Sequence, residues 1–197
     1  ELLFQLGRCI AHMAVDDAEV RFCTHLTGKT SWFLPFNQGW NSGAGNTPNP
    51  HGLKTDYLWK QVLAKESLAN IIENFAQVVE EEEQDASGRK RKTRKQIFPR
   101  YHQLRTVRAL LRRSRVDGVG KRYLIQHSAG SGKSNTIAWL AHQLVELKTD
   151  AGQAQFDSVI VITDRRALDT QIARTIKSYD HVASIYGHSE SAEELRT

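Results

Sequence analysis

The chain has 197 residues, of which 40% are apolar and 25% charged, with a formal net charge of +5. That is enough apolar sequence for a core, no apolar run approaches the ~20 residues a membrane-spanning helix needs, and the positive balance suits a polyanionic partner. Cys9 and Cys23 have no metal-ligand spacing and are expected to be small buried groups in a reducing cytoplasm. The sequence runs from Glu1 straight into periodic residues with no secretory signal, as expected of a piece of a longer protein.

Leu2, Leu3, Leu6, Ile10, Met13 and Ala14 recur at helical spacing and predict a helix over residues 1–15. Asp16-Asp17 ends it, either as a solvated turn or as a carboxylate pair for a metal. Val20, Phe22, Thr24 and Leu26 then alternate as a strand, Thr27-Gly28-Lys29 turns, and residues 30–36 read as a returning strand, so a β-hairpin is expected. Residues 37–50 form a long irregular stretch around Trp40. Such a loop is either pinned to the domain by that ring or closes over a nucleotide or a nucleic-acid strand.

Thr55 and Ser67 read as N-caps. Leu58, Val62 and Leu63 predict a short helix. Leu68, Ile71, Ile72, Phe75, Val78 and Val79 form the apolar stripe of a longer one that ends in Glu80-Glu81-Glu82-Glu83. The basic run Arg89-Lys90-Arg91-Lys92, with Arg94-Lys95, follows. An acidic run and then a basic run without an apolar anchor read as an exposed linker, its basic run either solvated or touching DNA phosphates, and place a domain boundary near residue 95.

From Ile97 the pattern restarts with a helix carrying Val107, Leu110 and Leu111. A strand over Arg122–Gln126 leads into a glycine-rich turn, a helix over Asn135–Leu147, the apolar strand Ser158–Thr163 and a further helix. Continuous apolar strands alternating with helices predict an α/β fold: the opening half of a doubly wound parallel sheet with flanking helices, its ligand outside the carboxyl end of the first strand. The units expected are residues 1–95, an α+β unit with the linker, and residues 96–197, the α/β unit.

The turn itself carries the chemistry. Gly130-Ser131-Gly132-Lys133-Ser134 lies between an apolar run and an amphipathic helix, the context of a P-loop. Glycines let successive N–H groups turn inward as a nest for phosphate oxygens, and the helix N-terminus adds positive potential. Lys133 is the candidate cation for the β- and γ-phosphates of ATP, and the Ser134 hydroxyl the candidate Mg²⁺ ligand. A general P-loop has glycine where this chain has His127, which is either a loop residue of no chemical consequence or a group that approaches the phosphates.

Tyr101-His102-Gln103, the P-loop and Asp164-Arg165-Arg166-x-Leu168-x-x-Gln171 follow one another as in superfamily 2 helicase motors. Phe98-Pro99-Arg100-Tyr101-His102-Gln103, Gln126-His127-Ser128-Ala129-Gly130-Ser131-Gly132-Lys133-Ser134 and Phe36-Asn37-Gln38-Gly39-Trp40-Asn41 more narrowly resemble the motor and cleavage (R) subunit of type I restriction enzymes, which accepts the histidine. The resemblance implies that residues 96–197 open the first RecA-like lobe and that residues 1–95 are the tail of a nuclease domain. It implies that Gln103 reads adenine, that Arg165 and Arg166 meet a DNA strand, and that ATP and Mg²⁺ are the cofactors. Double-stranded DNA and the methylation and specificity subunits are the implied partners. The parent activity implied is that of an ATP-dependent, type I site-specific deoxyribonuclease.

No catalytic residue is assigned. Residues 1–95 hold no Glu-x-Lys with a preceding aspartate, and no Asp-Glu-x-His segment follows Thr163. With those motifs, the second lobe and its arginine finger absent, the chain is expected to bind nucleotide without turning it over efficiently. The competing classes are a P-loop kinase or GTPase, which lacks its Asn-Lys-x-Asp segment or arginine lid here, and a non-catalytic nucleic-acid-binding module built on the basic run. Base selectivity separates the former and nucleotide binding the latter.

Overall fold

The computed structural model describes residues 4–84, 88–164 and 166–178, and side chains for all of these except 81–84, 166–169 and 171. The chain is mixed α/β and divides into two compact units, residues 1–106 and 107–197.

The first unit is built on a three-stranded antiparallel sheet of β1 (His12–Val15), β2 (Val20–Cys23) and β3 (Leu34–Pro35), in that order. The expected hairpin is present, with Phe22 opposite Leu34, and Val20 and Phe22 point into the core while Arg21 faces out. Of the helix expected over residues 1–15, the described part, 4–15, does not form, and its end is β1 instead. Gly7 has φ of 81°, a left-handed conformation that interrupts a helix, and Met13 and Ala14 pair with Phe22 and Arg21 instead. Asp16 makes the turn: its carboxylate accepts the N–H groups of Ala18 and Glu19 at 2.7 and 2.8 Å. Those bonds hold its pKa below the usual carboxylate range.

The long stretch after β3 is anchored by asparagines. Asn46, 4% exposed, accepts the Gln38 N–H at 2.8 Å and donates to the Ala18 carbonyl and to Asn37 Oδ1 at 2.8 and 2.9 Å. Asn37 Oδ1 also accepts the Val20 N–H. Trp40, expected as one possible pin, is 46% exposed. Phe22, Phe36, Phe98, Tyr57 and Tyr101 form a chain of tilted and edge-on ring contacts with centroids 5.2–6.0 Å apart. Tyr57 donates its hydroxyl proton to the Phe36 carbonyl at 2.7 Å, and burial pushes its pKa up, so the donor is retained.

A wide helical turn over Leu58–Val62, closed by Leu63 N–H to Leu58 C=O at 2.8 Å, leads into α1 (Lys65–Asn74). The longer helix expected to reach Glu83 stops here. Residues Gln77–Gln84 form β4 and residues Lys90–Ile97 form β5, an antiparallel ribbon in the place of the expected linker. The register sets Glu80 opposite Arg94, Glu82 opposite Lys92 and Glu83 opposite Arg91. Cross-strand pairing of opposite charges is what a helix would have forfeited.

The chain then enters α2 (Tyr101–Asp117), in which the two units divide. In the second unit, α3 (Lys133–Val145) packs against α4 (Arg166–Lys177). Trp139 and Ala138 on α3 and Ile172 and Ile176 on α4 are buried. The parallel strands expected at 122–126 and 158–163 do not form. Leu124 is 96% exposed and Ile162 88% exposed, whereas Val159 and Val161 are half-buried. A parallel strand needs neighbours along its edges and cover on both faces, and two short segments alone make at most a two-stranded sheet, which water does not support.

Candidate functional site

The glycine-rich turn is shaped as its residues demand. Gly130 and Gly132 have φ of 70° and 80°, the left-handed region that side chains resist. A Cβ on Gly130 would meet nothing within 4 Å, so conformation rather than space requires the glycine. Gly132 is the N-cap of α3, and its carbonyl accepts the Thr136 N–H at 3.2 Å. The helix therefore starts at Lys133, and its first turn directs N–H groups without intrahelical acceptors toward the loop.

Lys133 occupies the first helical position, where a cation opposes the helix dipole at a cost of about 0.3–1 kcal/mol. No acidic residue in the first turn compensates it. Its ammonium instead donates to the carbonyls of His127 and Ser128 at 3.2 and 2.8 Å, drawing the two ends of the loop together. Helix terminus and ammonium concentrate positive potential at one point, which is the electrostatics of an anion receptor. Ser134, the next residue, is half-buried, and Ser131 is buried within the turn.

His127 is half-buried at the loop's first position. Burial, and then the Lys133 charge beside it, push its pKa below the ordinary histidine value. The imidazole is neutral at pH 7 and adds no charge to the receptor.

Gln103 lies on the first turn of α2 and is 3% exposed. Its Oε1 accepts the Arg100 N–H at 2.8 Å. That is the return half of a capping box, in which the third helical residue bonds back to the N-cap. The aromatic chain through Phe98 and Tyr101 fixes this helix start. Of the two candidate DNA contacts, Arg165 lies outside the described residues; Arg166 opens α4, and its side chain is not described.

The structure thus brings Gly130, Ser131, Gly132, Lys133 and Ser134 into one turn, with His127 closing it. Two features escaped the sequence: the clasp from Lys133 to the loop carbonyls and the cap made by Gln103. The first has no sequence signal, because backbone carbonyls accept from any lysine within reach. The second leaves only the three-residue spacing from Arg100 to Gln103 as a signal, and arginine is not a usual N-cap.

Among the described residues, no group of three or more His, Cys, Asp or Glu side chains is placed to hold a metal ion, and no helix is long and apolar enough to cross a membrane. Comparison with curated proteins and with solved structures gives no match. Residues 102–197 match the family model of the SWI2/SNF2 ATPase. This half of the chain, which contains the P-loop, is therefore similar to a helicase-like ATPase family.

Proposed function

We propose that the chain is part of an ATP-driven DNA translocase, the motor and cleavage subunit of a type I restriction enzyme. The observation that carries the reading is the turn at Gly130–Ser134: two left-handed glycines delivering a lysine to the first position of a helix. That lysine opposes the dipole of its own helix, and a polyphosphate ligand accounts for a cation at this position. The family match over residues 102–197 supports a helicase-like ATPase. The type I subunit is the finer reading, supported by the motifs around Phe36, Phe98 and Gln126.

In this reading Gly130, Ser131, Gly132 and Lys133 hold the phosphates of ATP, Ser134 ligates the accompanying Mg²⁺, and Gln103 reads adenine. Each fits by chemistry: amide donors and an ammonium for phosphate oxygens, a hydroxyl for a hard cation, and a carboxamide for the adjacent donor and acceptor of adenine. Arg165 and Arg166 pair with the phosphates of double-stranded DNA. Residues 1–95 belong to the end of a nuclease domain, and residues 96–197 to the start of the first motor lobe. Methylation and specificity subunits are the protein partners, and the cytoplasm is the setting.

Equilibrium dialysis of Mg-ATP against the chain tests the reading. Saturable binding at one site per chain is expected; no binding at millimolar nucleotide overturns it.

A further inference from the structure

The ribbon of β4 and β5 sets an acidic strand beside a basic one. Glu80, Glu81, Glu82 and Glu83 lie on β4, and Lys90, Arg91, Lys92, Arg94 and Lys95 on β5. All five cations are exposed. Among its described side chains, the base of the ribbon joins the core through Val79 and Gln96, which are 3% and 7% exposed. The two strands are joined along their length by the backbone ladder.

We propose that β5 docks on the phosphate backbone of duplex DNA and that β4 screens it. Side chains alternate along a strand, so Lys90, Lys92 and Arg94 share one face. Their repeat of about 6.8 Å equals the rise along the duplex axis over two phosphates of one strand, about 3.4 Å each. On that face the register opposes them with Gln84, Glu82 and Glu80. The Lys92 ammonium lies 3.7 Å from Glu80, with the two side chains 71% and 61% exposed. An exposed pair of this kind is weak and screened by salt, so it yields to a denser line of negative charge. The acidic strand lowers the affinity of β5 for polyanions without abolishing it, and a duplex exchanges one set of anions for another. An acidic polypeptide offers charge without the fixed phosphate spacing, which favours DNA.

The proposal shares its partner with the DNA-acting reading above but does not depend on the P-loop. The experiment is fluorescence anisotropy of the full chain with a labelled duplex across a salt series. Glu80→Gln with Glu82→Gln should raise affinity about two- to fivefold at low salt, the scale of one or two exposed ion pairs. Lys92→Ala with Arg94→Ala should lower affinity and reduce the salt slope by about 1–2 units. The two variants should therefore shift affinity in opposite directions. Unchanged binding in both variants overturns the proposal. If the Arg165 and Arg166 substitutions weaken binding while the ribbon variants do not, the ribbon proposal fails and the DNA-acting reading stands. No DNA binding at low salt overturns both. Tighter binding of polyglutamate than of the duplex overturns the assignment to nucleic acid.

Discussion

The side-chain oxygen of Gln103 accepts the backbone N–H of Arg100 at 2.8 Å, so the residue proposed to read adenine is also the cap of its own helix. A carbonyl oxygen has two lone pairs, so the cap leaves one for the proposed contact with adenine. Gln103→Ala is expected to lose both. Losing a cap costs about 1 kcal/mol, read as a lower midpoint in urea with unchanged slope. Preference for an ATP analogue over a GTP analogue should fall in the same variant. An unchanged urea midpoint would refute the cap, and an unchanged base preference would refute the adenine role.

Asn46 and Trp40 exchange the importance that the sequence suggests for them. Asn46→Ala removes three hydrogen bonds around the 37–50 stretch, leaving the Gln38 N–H and the Ala18 carbonyl without their partner. The expected loss is about 1.5–4.5 kcal/mol at about 0.5–1.5 kcal/mol per bond. Trp40→Ala, at a half-exposed ring, should cost less than about 1 kcal/mol. Thermal melts of the two variants decide the order.

That exchange shows what the residues disclose and what they withhold. Glycine identity, the β2–β3 alternation and the helix after the P-loop are local properties, and each was legible. Asn46 acts on Ala18, 28 residues away, and no local pattern encodes that. Val78 and Val79 continue a helical stripe in sequence, yet they pair as a strand because Gln96 and Lys95 lie opposite them. The apolar periodicity of residues 1–15 was overridden in the same way by pairing with β2. Within the site, the loop composition pointed to a glycine turn at the start of a helix, whereas the Lys133 clasp has no local signal.

The depressed pKa of His127 has a definite sign. The unfolded chain holds that proton more tightly than the folded chain, so stability is full above the ordinary value of about 6.5 and is lost as pH falls through it. Relative to His127→Gln, the wild-type chain should lose melting temperature progressively below about pH 6.5 and show no pH-dependent difference above pH 7.5. A difference that grows with rising pH would contradict the placement of the imidazole beside Lys133.

DNA binding through Arg165 and Arg166 predicts weak, sequence-independent affinity with strong salt dependence. Replacing both with alanine should reduce the salt slope by about 1–2 units. Anisotropy over a salt series measures it, and an unchanged slope removes both arginines from the interface.

The central claim is that the turn at Gly130–Ser134 holds the phosphates of Mg-ATP, with Lys133 as the main cation. Charge-assisted bonds are worth about 1.5–3 kcal/mol each. Titrating a fluorescent ATP analogue into the wild-type chain and into Lys133→Ala should therefore show affinity falling at least about tenfold in the variant. Equal affinities would contradict the account.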